Sequence, residues 1–340
     1  MRTTIKDIAA MTGLSITTVS LVLNNKPSRI SEQSKALVFE AAKKLHYRPN
    51  ELAVGLIKKH TKTLGLLLTD ICNPFFASLA KGVEACCSRE GWTVILCDTG
   101  ESHDKELAYM QTLSSKNVDG IIYCASMDST AEKFMESWEM MEQLGIPCVV
   151  VDRSYEVPGI RSVSTDHVMG GWLAAEHLLK LGHRRIACVT GPRHLDVCRD
   201  RLEGYRMALN KYQIPYDPAL ICEQRFSIES GRQAVAQLAG QPYTAVFAFN
   251  DMMAYGVCQE LRAQGLRIPE DVSVIGYDDI YPSQILEVPL TTVRQPIEQL
   301  GIRAAQELIA AFSDRIPPEC RVLFEPELAV RDSTAPAPER

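Results

Sequence analysis

Carboxylates, guanidinium groups, amides and phenyl rings recur at one kind of place in this chain: just past the end of a short apolar run. The run 64–69 leads to Asp70 and then Asn73-Pro74-Phe75-Phe76. The run 148–152 ends in Asp152-Arg153. The run 186–190 is followed by Gly191-Pro192 and a polar stretch, read as a loop, that holds Arg199 and Arg201. Phe226 precedes a helical segment opening at Ser230. Asn250-Asp251 close the run 245–249, Tyr277-Asp278-Asp279 close 272–277, and Gln295 follows Thr291-Thr292-Val293-Arg294. Such a set suits recognition of a polyol. Carboxylates accept from vicinal hydroxyls, Arg and Asn donate to hydroxyl and ring oxygens, and aromatic faces cover the apolar face of a ring, with charge-assisted bonds giving much of the affinity. Taken singly, each residue reads as readily as a capping Asp, a surface Arg or a core Phe. The recurrence at successive run ends is the signal.

Positioning those residues takes a particular framework. The runs 64–69, 94–98, 120–123, 148–152, 186–190, 245–249 and 272–277 alternate with helical segments such as 75–90, 169–181, 230–239 and 252–264. Strand–helix alternation predicts parallel sheets with helices on both faces. The strands outnumber those of one compact sheet, so two lobes are expected. Ligands of such sheets sit beyond the carboxyl ends of the strands, here in the cleft between lobes.

The first sixty residues are different in kind. They carry ten Lys/Arg against four acids, a net +6, while the whole chain is −6, leaving −12 on the remainder. A basic head on an acidic body points to a polyanionic partner for the head. Thr4-Ile5-Lys6-Asp7 reads as a capping box. Ile5, Ile8, Ala9 and Met11 then form an apolar face, and Gly13 stands where a tight turn needs an unencumbered backbone. Ser15 caps a second helix over 16–24, with Val19, Val22 and Leu23 inward and Ile16, Thr17, Ser20 and Leu21 outward. Ser31 caps a third helix reaching about residue 45, with Ala36, Leu37, Phe39, Ala41 and Leu45 offered to the core. Three short helices in this order fit a helix-turn-helix whose second helix enters a major groove. A small helical interaction module is the plainer alternative.

The segment TIKDIAAMTGLSITTVSLVLNNK, followed by YRPNELAVGLIKK, resembles the headpiece and hinge of the lactose-repressor family of bacterial transcription regulators, without a gap from Thr4 to Lys59. The resemblance implies that Ile16, Thr17 and Leu21 touch base edges. The family most often has Arg where Leu21 stands; Leu cannot donate to guanine but can meet a thymine methyl. It implies phosphate or cap roles for Thr4, Ser15, Thr18, Ser20 and Asn24, which fix register rather than sequence. Residues 49–56 match the hinge helix, with Asn50, Ala53 and Leu56 on the DNA. Leu56 falls at the position that wedges between base steps in the minor groove.

The resemblance continues to about Val330. It implies a small all-α helix-turn-helix headpiece plus an α/β two-lobed periplasmic-binding-protein-like core with doubly wound parallel sheets. The body most resembles the ribose-binding kind. On that pattern Asn73, Phe75, Phe76, Asp152, Arg153, Arg201, Phe226, Asn250, Asp278 and Gln295 contact the sugar. Purine regulators are expected to differ around Leu195 and Val197. The implied function is an operator-binding repressor of a sugar-utilisation operon, controlled by ribose or a close pentose. A hexose, a gluconate-like acid, a phosphorylated sugar or a protein co-effector are the alternatives, and the inducer or co-repressor sign stays open. An enzyme acting on sugars would need an acid/base pair such as Asp152 and Asp278, which the resemblance assigns to binding.

The expected division is 1–48 for DNA binding, 49–61 for the hinge, 62–332 for the sugar-binding and dimerising core, and 333–340 as a tail. A homodimer follows from paired half-sites, and the segment 76–89, with Leu79, Val83 and Cys86, is a candidate interface. The Pro-rich tail lacks heptads, so no tetramerising coiled coil is expected. Neither a leader nor an apolar run of about 18 residues is seen, which predicts a cytoplasmic protein. Eleven Cys without a CxxC pair read as reduced thiols, with Cys72 and Cys198 beside the expected ligand loops. Seven scattered His and the lack of phosphate-loop motifs lead to an expectation of no metal and no cofactor beyond the sugar effector.

Overall fold

A computed structural model of the chain describes residues 3–24, 29–47, 60–153, 155, 157, 159–312 and 321–339. It divides into two compact units, Met1–Thr61 and Lys62–Arg340.

The first unit packs α1 (Ile5–Thr12), α2 (Ile16–Leu23) and α3 (Glu32–Lys44) around Ile8, Val19, Val22, Val38 and Ala41. Asp7 Oδ2 accepts from Thr4 N at 2.7 Å, which closes the start of α1. Gly13 ends it at φ 72°, with its N–H donating to Ala9 O. Ser15 and Ser31 accept from Thr18 N and Ser34 N, so both expected caps are in place. Three side chains assigned to this core face outward instead: Met11 is 50% exposed, Leu37 46% and Phe39 48%. Ala36 is exposed as well. On α3 Val38 takes the place of Leu37 and Phe39, because 38, 41 and 45 share one helical face and 37 and 39 flank it.

In the second unit the first lobe holds β1 (Thr63–Leu68), α4 (Pro74–Arg89), β2 (Thr93–Asp98), α5 (His103–Ser115), β3 (Gly120–Tyr123), α6 (Ala131–Leu144), β4 (Cys148–Val151) and β5 (Ser162–Thr165). The second lobe holds α7 (His167–Lys180), β6 (Ile186–Thr190), α8 (Asp196–Lys211), β7 (Ile221–Glu223), α9 (Ile228–Gln237), β8 (Ala245–Ala248), α10 (Asp251–Ala263), β9 (Ser273–Asp278) and β10 (Thr291–Arg294). The chain then returns. α11 (Ile297–Ala310) and β11 (Arg321–Phe324) join the first lobe, and β12 (Glu327–Ala329) joins the second.

The sheets run β11-β5-β4-β3-β1-β2 and β12-β10-β9-β8-β6-β7, parallel throughout except β10 with β12. In each, the first strand of the lobe pairs with both the second and the third (β1 with β2 and β3, β6 with β7 and β8), so each lobe has its own topological switch point. β3 and β4 are buried along their whole length, as a sheet covered on both faces requires.

One expectation is corrected here. Leu79, Val83 and Cys86 are buried within their own lobe, where α4 packs on α11 and Lys81 meets Glu298 at 2.6 Å. They are therefore not an exposed interface. The segment after 332, the tail of the expected division, docks on the second lobe: Ser333 is buried, and its Oγ donates to Val274 O at 2.6 Å and accepts from Thr291 N at 2.8 Å.

Candidate functional site

Strand ends of both lobes converge on one small cavity, lined by Asn73, Phe75, Phe76, Asp152, Arg153, Val197, Arg201, Phe226, Asn250, Asp278 and Gln295. All ten core residues singled out from the sequence are in this lining, and Val197 joins them. Asn73 and Asn250 cap α4 and α10, accepting from Phe75 N at 3.1 Å and Met253 N at 2.8 Å. Each cap therefore fixes its side chain at the mouth of a strand. Phe75 and Phe76 meet edge to face with centroids 5.1 Å apart. Arg153 lies 5.5 Å from the Phe76 ring centre and 5.3 Å from that of Phe226.

The charges are held by groups behind them. Arg153 forks onto Glu101, Nη1 at 2.8 Å and Nη2 at 3.1 Å, and Nη1 also donates to Ala125 O. Arg201 donates to Phe249 O and, through Nε, to His167 Nδ1 at 3.3 Å, with its guanidinium 3.8 Å from the Tyr277 ring centre. His167 also pairs with Tyr277 Oη at 2.9 Å. Burial, and then the Arg201 charge, hold His167 well below its ordinary value, so the imidazole is neutral and able to accept.

Asp278 accepts from Gln295 Nε2 at 2.8 Å. Burial pushes the carboxyls of Asp152 and Asp278 up, against the opposing pull of the nearby arginines. Asp152 (φ 64°), Asp278 (φ 117°) and Asp279 (φ 58°) all adopt positive φ, which is uncommon outside glycine. Asp152 Oδ1 and Gln295 Oε1 are buried and have no hydrogen-bond partner among the described residues.

Other strand-end residues do different work. Arg199 and Arg201 lie on α8 rather than in a loop, and Arg199 turns to Asp196. Asp70 Oδ1 accepts from Cys72 N at 2.9 Å. Asp251 bonds Ile280 N, Ser283 and Thr292. Leu195 is buried and does not line the cavity. Cys198 is buried beside it, with its thiol pushed up to about 12 by burial, whereas Cys72 is exposed. Glu101 and His167 were not anticipated. Glu101 follows the run 94–98 and obeys the same run-end rule; His167 carries no local signal. No group of three His, Cys, Asp or Glu among the described residues is placed to hold a metal. No single helix among them is long and apolar enough to cross a membrane.

On the headpiece, Ile16 is half exposed and Thr17 is exposed, at the first turn of α2; Leu21 is partly covered. Ser15 and Thr18 share a hydroxyl contact of 2.8 Å, and Asn24 Nδ2 donates to Ser20 O at 2.8 Å. Thr4 closes α1 with Asp7. Asn50, Ala53 and Leu56 lie outside the described residues.

A basic three-helix headpiece in one unit, and in the other a two-lobed core with a polar interlobe cavity, define a DNA-binding transcriptional regulator with a ligand-binding body. The family model for bacterial regulatory proteins of the lacI family matches residues 4–50, and that for the periplasmic binding protein-like domain matches 175–334. The chain is 36% identical to the transcriptional regulator DegA of Bacillus subtilis over 99% of each chain. It is 38% identical to the transcriptional repressor PurR of Vibrio atlanticus, covering 97% of this chain and 98% of that one. Among solved structures, the Lac repressor dimer bound to operator and the anti-inducer ONPF matches with TM-score 0.87 at 27% identity, over 98% of this chain and 100% of that one. A LacI family regulator from Enterococcus faecium with bound ribose matches with TM-score 0.71 at 35% identity, over 81% and 99%. This chain belongs to the lacI family of bacterial regulatory proteins. Its relatives are regulators rather than enzymes.

Proposed function

We propose that this regulator represses a sugar-utilisation operon as a homodimer in the cytoplasm, and that ribose or a close pentose in the interlobe cavity controls its hold on the operator. The observation carrying this reading is the convergence of Asn73, Asp152, Arg153, Arg201, Asn250, Asp278 and Gln295 with three phenyl rings on one cavity. The lining is mostly polar and charged, with a small number of aromatic faces, which suits a small polyol. Phe75, Phe76 and Phe226 offer apolar walls, and the polar groups match the hydroxyls of a pyranose or furanose. The ribose-bound relative, alike over four-fifths of the chain, adds support.

The mechanism is a population shift. A sugar that bonds groups from both lobes favours the closed arrangement, and the open–closed equilibrium is read out at the operator. Closure affects DNA affinity only as far as the sugar binds the two states unequally. Ile16, Thr17 and Leu21 read bases, and Thr4, Ser15, Thr18, Ser20 and Asn24 hold the backbone or the helix ends.

The PurR repressors among the relatives favour a second reading, in which a purine-related compound is the effector. One experiment separates the two. A duplex selected for binding is immobilised, and D-ribose, D-xylose, D-glucose, D-gluconate and hypoxanthine are titrated at fixed salt, because phosphate contacts make affinity salt-dependent. Release, or tightening, by ribose alone supports the pentose reading and gives its sign. A response to hypoxanthine alone replaces it, and no response to any of them removes it.

A further inference from the structure

We propose that Arg331, from the docked C-terminal segment, is a positioning residue for the effector carboxylate of Asp278, acting through Asp279. The proposal rests on the reading above that the interlobe cavity takes the effector. Asp279 is the neighbour of Asp278, yet its side chain is only 2% exposed and is not part of the cavity lining. It accepts from two arginines, Arg294 Nε at 2.6 Å and Arg331 Nη2 at 2.6 Å. Arg331 is further anchored by Nη1, which donates to Leu290 O at 2.7 Å, and by its own N–H on Thr291 Oγ1 at 2.9 Å. The backbone of both aspartates has positive φ, 117° and 58°, a conformation that persists only where surrounding contacts over-determine it. The Asp279 carboxylate, clamped between β10 and the C-terminal segment, supplies that determination. Asp278 Oδ1 then meets Gln295 Nε2, and Gln295 N donates to Asp278 O at 3.2 Å.

Breaking the clamp leaves Asp279 with one arginine and lets the turn relax. Asp278 then loses its aim at the sugar, and a weakened charge-assisted bond costs about a tenfold loss of affinity. The test compares R331M, R331K and S333A in the full-length protein, with ribose affinity by calorimetry and operator affinity without sugar. Ser333 anchors the same segment but touches neither aspartate, so S333A reports the cost of loosening the segment alone.

The expected result is about tenfold weaker ribose binding in R331M, partial recovery in R331K, unchanged sugar-free operator binding, and near-normal ribose affinity in S333A. Added to D278N, R331M should cost nothing more, because its effect runs through that carboxylate. Wild-type ribose affinity in R331M, an undiminished effect on the D278N background, or an equal loss in S333A would each overturn the proposal. If the wild type binds no ribose, the pentose reading falls by itself. Hydrogen exchange of the ligand-free protein then decides: faster exchange over 278–281 and 294–296 in R331M supports the clamp, and unchanged exchange there sinks it.

Discussion

Asp152 and Gln295 face one cavity from opposite lobes, and each offers it a buried oxygen, Oδ1 and Oε1, that no donor among the described residues satisfies. Nearly all buried polar atoms in native proteins are bonded, so such a pair calls for an explanation. A ligand with two hydroxyls would donate to both and tie the lobes together. Replacing Asp152 by Asn keeps the shape and removes the charge. D152N should weaken effector binding by about 1.5–3 kcal/mol, roughly ten- to hundredfold, with sugar-free operator affinity unchanged. Calorimetry with ribose checks the first part; an unaltered dissociation constant would remove Asp152 from the ligand shell.

The helices α7 and α8 cross with backbone against backbone. A Cβ on Gly171 would lie 2.1 Å from Arg201 O, and one on Gly204 2.0 Å from Val168 O. No flexible side-chain end is there to give way. G171A and G204A should each destabilise the core by about 1–3 kcal/mol or more, the range of overpacking. Because Arg201 sits at this crossing, G171A should also blunt the response to the effector. Urea unfolding read by circular dichroism is the measurement, and a wild-type midpoint for G171A would contradict the crossing.

Asp251 should make the fold less stable as pH rises through the acid range. It is fully buried at the start of α10, and burial pushes its carboxyl up from 3.8 to about 7, opposed by hydrogen bonds from Ser283, Thr292 and Ile280. An acid whose folded value exceeds its unfolded one binds more protons in the native state. Its contribution to stability is therefore present at low pH and is lost as pH rises from about 4 to about 7. Asp278 is displaced in the same direction. D251N should remove much of this slope. Parallel stability profiles for wild type and variant between pH 4.5 and 7.5 would refute it.

Much of the site was legible because its residues follow apolar runs directly: Asn73 after β1, Asp152-Arg153 after β4, Asn250 after β8, and Asp278 at the end of β9. Arg201 was legible by type but not by element. The stretch from Asp196 to Lys211 carries Arg199, Asp200 and Arg201 in a row, which hides the inward spacing of Val197, Leu202, Tyr205 and Leu209. Glu101 and His167 act on Arg153 and Arg201, not on the cavity itself, and contact between distant segments leaves no local pattern. The docking of Ser333 was hidden for a related reason: a small polar residue is buried only because Val274 O and Thr291 N are there to bond it. The third helix of the headpiece shows the limit of composition. Leu37, Val38 and Phe39 are all apolar, and only the helical phase selects Val38.

Leu21 lies on α2 beyond the two exposed residues of its first turn, partly covered but not in the core. An apolar group at a base edge can meet a thymine methyl and cannot bond a guanine. An arginine there can run its stem along the helix and extend its head into the groove. L21R should therefore shift preference toward G·C at one base pair of each half-site by about 1–3 kcal/mol, leaving the other positions alone. Fluorescence anisotropy against single-base operator variants at fixed salt reads this directly. A uniform gain across all variants, with a steeper salt dependence and no change in base preference, would instead put residue 21 on the phosphates.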